Sequence, residues 1–249
     1  MADRRHIEAC LNELLRPESF EDYGPNGLQV EGRCEVRRVV SGVTASLALI
    51  DAAIDAGADA LLVHHGLFWR GHDGRLSGWL KQRVARLLGA GLNLFAYHLP
   101  LDAHAELGNN ARLGLRLGLR ANARFGAQAL GFIADAADLT RSEALAARVA
   151  TALGRAPLLL PGDGRELRRI AWCTGGAQGL LEEAIVAGAD AFLSGEVSEP
   201  QAHLARESGV AYLACGHHAT ERFGVQAVGE WLAARCGIEH RYIDIDNPA

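Results

Sequence analysis

No C-x-x-C pair occurs in the 249 residues, and the five cysteines, Cys10, Cys34, Cys173, Cys215 and Cys236, are odd in number and far apart. That argues against a disulfide framework and against a Cys-type zinc knuckle, and a reducing cytoplasm is the compartment expected. Lysine is nearly missing: Lys81 stands alone and arginine carries the remaining positive charge, which in a chain so rich in Ala and Leu reads as genomic base composition. Excess positive charge is missing too. A net charge of −5 leaves no general nucleic-acid footprint and no attraction to an anionic membrane. No uninterrupted apolar run approaches the roughly 18 residues of a membrane helix. The opening Met1-Ala-Asp-Arg-Arg5 leads into a segment that mixes charges with apolar residues, so no signal-peptide core is expected.

What is present is ordinary globular usage, 49% hydrophobic and 22% charged, in a length that holds one large or two modest domains. Residues 4–15 place Ile7, Cys10, Leu11, Leu14 and Leu15 at helical spacing, closed by Pro17. Residues 23–30, Tyr-Gly-Pro-Asn-Gly-Leu-Gln-Val, read as a tight loop entering a short extended piece, in preference to a ligand site. From Arg37 the pattern alternates as an α/β chain does. Strands are expected at 39–43, 60–63 and 92–97, with helices at 44–56, 79–88 and 110–117. After a junction at 118–124, strands are expected at 127–133, 157–161, 170–173, 191–193, 210–215 and 238–245. Helices are expected at 142–153, 180–187, 201–207 and 220–236.

An internal repeat organises these elements. Ala56-Gly-Ala-Asp-Ala60 recurs as Ala187-Gly-Ala-Asp-Ala191, and the same offset sets the strand at Val39 on the strand at Ile170 and His64-His65 on Gly195-Glu196. His98 and Asp102 find counterparts in His217 and Glu221, so each half ends a strand in His-x-x-x-carboxylate. The expected organisation is two related α/β domains, 1–125 with His64, His65 and Asp102, and 126–249 with His217 and Glu221. The C-terminal strand is free to pack on either.

Ligands of open α/β sheets gather beyond the carboxyl ends of the strands. His64, His65, His98, Asp102, Glu196, His217 and Glu221 all fall there, and His218 lies beside them. Imidazole with carboxylate suits Zn, Mn, Fe or Co. The donors outnumber what one tetrahedral zinc uses and match a pair of ions about 3.5–4 Å apart. Pro100 argues against a continuous helix from His98 to Asp102, so that pair is expected to converge through a loop; His217 and Glu221 fit one helical turn. The bland alternatives stay open. A strand-end histidine is often a surface or hydrogen-bonded residue, and Asp102 and Glu221 suit helix caps. Thr174-Gly175-Gly176 reads as a plain turn or as a phosphate-cradling one.

At these residues the sequence resembles the Nif-three-like, YbgI-type family of dinuclear metal-centre proteins, commonly described as homologues of type 2 GTP cyclohydrolase I. The matching pieces are 24–30 (Gly-Pro-Asn-Gly-Leu-Gln-Val), 63–66 (Val-His-His-Gly), 98–102, 173–176 (Cys-Thr-Gly-Gly), 194–196 (Ser-Gly-Glu) and 216–224 (Gly-His-His-Ala-Thr-Glu-Arg-Phe-Gly), so the resemblance spans nearly the whole chain. It implies two α/β domains with the metal site between them, a pair of ions held by His64, His65, Asp102, His217 and Glu221, with Glu221 bridging, and assembly as a ring-shaped homohexamer. It places His98 near the site as an orienting or proton-transferring group, and His218 where an aromatic residue is usual. Two functions follow. One is a metal-dependent hydrolase, of a nucleotide ring or a phosphoester, acting on a small molecule. The other is a non-catalytic metal-bound ring that stores or senses metal or recruits a partner.

Overall fold

The repeated Ala-Gly-Ala-Asp-Ala segments perform the same structural task twice. A computed structural model describes residues 1–249. In the first copy, the Asp59 carboxylate accepts the backbone N–H groups of Arg37 and Arg38 (2.8 and 3.1 Å), while Arg38 Nη1 donates to Ala56 O (2.6 Å). In the second, Asp190 accepts from Arg168 and Arg169 (2.9 and 3.1 Å), and Arg169 Nη1 donates to Ala187 O (2.6 Å). Gly57 and Gly188 turn with φ of +67° and +81°, directly against those arginines. Only glycine takes that conformation without strain, and it lets the helix end feed the next strand. The aspartate therefore clamps the entry of two neighbouring strands.

This clamp yields a testable expectation. Asp59→Ala or Asp190→Ala leaves two strand-entry N–H groups without their acceptor, a loss of about 1–3 kcal/mol. A lowered Tm in both variants, by calorimetry, checks it. Burial tends to raise the Asp59 carboxyl, but hydrogen bonds from Arg37, Arg33 and Arg38 outweigh it and hold the pKa below the usual 3.8. Its stabilisation is accordingly present above about pH 4 and lost as the pH falls through the folded value.

The chain divides into two units, residues 1–108 with 224–246, and residues 109–223 with 247–249. In the first, a five-stranded sheet runs in the order Glu239–Tyr242, Arg38–Thr44, Ala60–His65, Asn93–Ala96, Gly27–Val30. The first four are parallel and Gly27–Val30 is antiparallel to its neighbour. One face packs on the helices Leu47–Asp55 and Gly78–Ala90 through Val40, Leu49, Leu61, Val63 and Leu87. The other packs on Arg4–Leu15 and on the C-terminal portion of Arg222–Cys236 through Ile7, Leu11, Leu62, Phe95, Val228 and Leu232. Parallel strands covered on both faces must be apolar throughout, which is why 60–63 reads Ala-Leu-Leu-Val.

The second unit holds a six-stranded sheet ordered Ala123–Phe125, Gly131–Asp135, Arg169–Trp172, Ala191–Ser194, Ala211–Ala214, Leu158–Leu160. Its inner three strands, from Arg169–Trp172 to Ala211–Ala214, are parallel and the flanking pairs antiparallel. Trp172, Phe132 and Leu193 build one core layer with Leu113 and Leu117 of the helix Asn109–Leu117. Phe192, Tyr212 and Leu181 build the other.

Several boundaries differ from the sequence reading. A single junction at 118–124, dividing 1–125 from 126–249, does not describe these units. Asn109–Leu117 packs against Trp172 of the second unit, so the chain passes over at Gly108, and it returns at Gly224. Residues 123–125 are an edge strand, and 127–129 form a 3₁₀ turn before the strand Gly131–Asp135. The C-terminal strand Glu239–Tyr242 pairs with Arg38–Thr44, in the first unit. The helix expected over 79–88 runs through Gly89 to Ala90 and stops at Gly91, whose φ is +61°. No helix is long and apolar enough to cross a membrane.

Candidate metal centre

In the first unit the strand Ala60–His65 carries both histidines at its end. His64 is fully buried. Its Nδ1 lies 3.0 Å from the Tyr97 carbonyl, which can only accept, so Nδ1 carries a proton and Nε2 is the nitrogen turned to the cluster. Nε2 stands 3.6 Å from Asp102 Oδ1. Thr44, directly opposite His65 in the parallel register, places its hydroxyl 3.0 Å from His65 Nδ1. The two rings lie 4.5 Å apart, and His98 approaches both, at 5.0 and 5.7 Å. One nitrogen from each of the three falls within 4.8 Å of the others.

Asp102 lies on a five-residue helix, Leu99–Ala103, with His98 as its N-cap. The expectation that Pro100 would forbid a helix here is corrected. Pro100 occupies the first turn, where the missing N–H has no intrahelical acceptor anyway. Asp102 is 7% exposed.

Asp22, which sequence reasoning did not single out, fixes His98. Its Oδ1 lies 2.7 Å from His98 Nδ1, its Oδ2 accepts the Leu99 N–H at 2.9 Å, and Asn26 donates to it while accepting the His98 N–H. Burial pushes the Asp22 carboxyl up, yet the hydrogen bonds from His98 and Asn26 win and hold it below the ordinary range. The same loop supports the other side of the cluster through Gln29, whose amide donates to Pro25 O and accepts from Leu67 N, both at 2.8 Å. A Cβ on Gly66 would strike that amide. Residues 22–26 are thus a loop that enters the strand Gly27–Val30, as expected of 23–30, and the segment holds the histidines.

In the second unit, the helix His217–Thr220 places His217 and Glu221 about one turn apart, with His217 Nε2 3.2 Å from Glu221 Oε2. On its other side, His217 Nδ1 lies 2.6 Å from Glu196 Oε1. Glu221 is 3% exposed, while Glu196 faces solvent on one side. The hydrogen bond to Glu221 is the main influence on His217; burial opposes it, and the charges of Glu221 and Glu196 reinforce it, so the imidazole is pushed up to about 9. An ion would have to displace the proton between His217 and Glu221. His218 stands outside this cluster, its N–H donated to the Ala249 carbonyl.

Thr174-Gly175-Gly176 is not a phosphate cradle. The Thr174 N–H donates to Asn110 Oδ1 and the Gly175 N–H to Thr220 Oγ1, so both amides are committed within the protein. The Gly175 carbonyl accepts from Gly195 N and Ser194 Oγ. With φ at +71°, Gly175 leaves room where a Cβ would fall on Glu221 Oε1 and within 3.2 Å of His217 Nε2. Its function is to make space for the donors.

The donors fit divalent first-row metals. Three buried or half-buried imidazoles and a carboxylate in one unit, and an imidazole between two carboxylates in the other, are a nitrogen–oxygen set without thiolate. Tyr97 O on His64 and Glu196 on His217 supply the outer hydrogen bonds that set the orientation and basicity of ligating histidines. The residues expected from sequence are therefore grouped within each unit as His64, His65, His98 and Asp102, and as His217, Glu221 and Glu196. Nothing in their placement separates His98 from His64 and His65 as a nitrogen donor.

Residues 2–248 match the family model described as Duf34/NIF3 (NGG1p interacting factor 3). A Pseudomonas aeruginosa protein named GTP cyclohydrolase 1 type 2 homolog is 52% identical over 241 residues, covering 96% of this chain and 95% of that one. A protein of the same name from Escherichia coli is 45% identical over 247 residues, 98% of each. Among solved structures, one described as protein ybgI, of unknown function, superposes with a TM-score of 0.95 at 44% identity, covering 99% of this chain and 100% of that one. The protein TTHA1606 from Thermus thermophilus gives 0.86 at 34% identity, again over 99% and 100%. Agreement of this extent, in sequence and in backbone, makes the chain a member of the Duf34/NIF3 family.

Proposed function

We propose that this protein binds a pair of divalent ions through His64, His65, Asp102, His217 and Glu221, with Glu221 as the bridge, and uses them for hydrolysis. The observation that carries the reading is the pairing, in each unit, of an imidazole with a buried carboxylate beyond parallel strands: His64 with Asp102 at 3.6 Å and His217 with Glu221 at 3.2 Å. Carboxylates are costly to bury unless a cation repays their lost hydration.

When bound, such a pair lowers the pKa of a coordinated water and polarises an electrophilic oxygen. The chain's own contribution is positional. Tyr97 O holds the His64 proton on Nδ1, and Glu196 holds the His217 ring by its Nδ1. His98, whose ring is held by Asp22, is the group read here as orienting a ligand or passing a proton. Trp69, edge-on to His98 with centroids 5.0 Å apart, gives that side an aromatic wall. The substrate class favoured by the relatives' name is a nucleotide whose ring is opened by water, with a phosphoester as the second class. The same reading has the chain act in the cytoplasm, where its thiols stay reduced, as a homohexameric ring.

The test is incubation of metal-loaded protein with GTP and with a panel of phosphoesters. Formate release with a pterin product, or phosphoester turnover, is expected, and Asp102→Ala with His217→Ala should lose both metal and turnover. Metal binding without turnover on any substrate would overturn the hydrolase and leave a metal-bound assembly that stores or senses metal or recruits a partner. Light scattering that gives the mass of one chain would overturn the ring.

A further inference from the structure

We propose a second, chemically distinct metal site in the first unit, formed by His6, Cys10 and Cys236 and suited to a thiophilic closed-shell ion such as Zn²⁺. One ligand atom from each of the three lies within 4.8 Å of the other two. Cys10 Sγ stands 3.7 Å from His6 Nε2. In a tetrahedral zinc site with Zn–S of about 2.3 Å and Zn–N of about 2.05 Å, sulfur and nitrogen are about 3.5 Å apart, so this pair already has the required spacing.

The donors stand on two packed helices. His6 and Cys10 lie four residues apart on one face of the helix Arg4–Leu15, and Cys236 is the last residue of the helix Arg222–Cys236. Ile7, Leu11, Val228 and Leu232 join Cys10 in one core, with Cys236 packed against it. Cys10 is buried, Cys236 half-buried and His6 exposed, so the donors open outward through the imidazole, leaving a fourth position for water. Cys34 is exposed, and Cys173 and Cys215 are buried in the other unit.

Two sulfurs and a nitrogen favour softer, thiophilic ions more strongly than the nitrogen–oxygen donors of the first site do. On binding, the ion takes both sulfurs as thiolates and the ring nitrogen, and the two thiol protons leave to solvent, with no change of oxidation state. Cys10 and Cys236 stand at opposite ends of the chain, with no local spacing to mark them. The absence of C-x-x-C excludes a knuckle but not this site.

Co²⁺ is the probe, because only a thiolate site gives a sulfur-to-cobalt charge-transfer band. Full-length, thiol-reduced protein titrated with Co²⁺ should develop that band. It should be lost in Cys236→Ser, weakened in His6→Gln, and unchanged in Cys34→Ser and in Asp102→Ala with His217→Ala. That last result keeps the site separable from the dinuclear reading. Zn²⁺ should abolish the band, and in the Asp102→Ala, His217→Ala background, where the dinuclear donors are removed, it should raise the Tm with Cys236 present but not with Cys236→Ser, a half-buried change that keeps the test available if Cys10→Ser does not fold. No band in the parent, or a band that persists in Cys236→Ser, overturns the proposal. So does a Cys10–Cys236 disulfide in protein isolated without reductant whose reduced form takes up no metal.

Discussion

Gly175→Ala is expected to unseat Glu221 and to lower both stability and metal uptake. At φ +71° an L residue costs roughly 1–2 kcal/mol. The added methyl would fall on Glu221 Oε1, 2.9 Å from its Cδ and 3.2 Å from His217 Nε2. Glu221, 3% exposed, cannot swing into solvent without breaking its bond to His217. Overpacking adds about 1–3 kcal/mol, and at this chain length each kcal/mol moves the Tm by about 2–4 °C. Calorimetry should therefore show a fall of several degrees or more, with metal content reduced. Gly176→Ala is the control. A Cβ there meets His217 only at 3.5 Å, with no positive φ, so its Tm should stay near the parent's.

Metal-free protein should lose stability as the pH rises from about 6.5 to about 9. His217 has a folded pKa raised to about 9, first by its hydrogen bond to Glu221, against burial, and then by the charges of Glu221 and Glu196. A group raised on folding stabilises fully below its unfolded pKa, about 6.5, and that contribution disappears as the pH passes through the folded value. Since His217 is 28% exposed, the discounted magnitude is on the order of 1–3 kcal/mol. Thermal melts in chelator between pH 6 and 9.5 should show the decline in the parent and a flatter profile in His217→Gln. Saturating metal should remove the decline, because an ion replaces that proton between His217 and Glu221. A parent profile as flat as that of His217→Gln would show that the two carboxylates do not hold a proton on the ring.

The parts of this architecture that follow from local rules are visible in the amino-acid order. Ala-Gly-Ala-Asp-Ala is readable twice because a helix stop, a positive-φ glycine and a strand-clamping aspartate are needed at the same place in each sheet. His64 and His65 are readable because an apolar strand ends in them. What lies hidden depends on contacts distant along the chain. Asp22 looks like one of many loop acids until the fold brings it 2.7 Å from His98. The helix 222–236 is readable as a helix, but its periodicity does not say that Val225, Val228 and Leu232 pack beside Ile7 and Leu11. Pro100 misleads because its effect depends on which turn of the helix it occupies. Gly175 resembles a phosphate-turn residue until Glu221 is found where its side chain would be.

The most direct measurement of the central claim is elemental analysis of protein purified without chelator, made on Cys236→Ser so that the thiol site does not contribute. About two divalent ions per chain are expected, falling sharply in Asp102→Ala with His217→Ala while circular dichroism stays that of the parent. One ion per chain, none, or an unchanged content in that variant would contradict it.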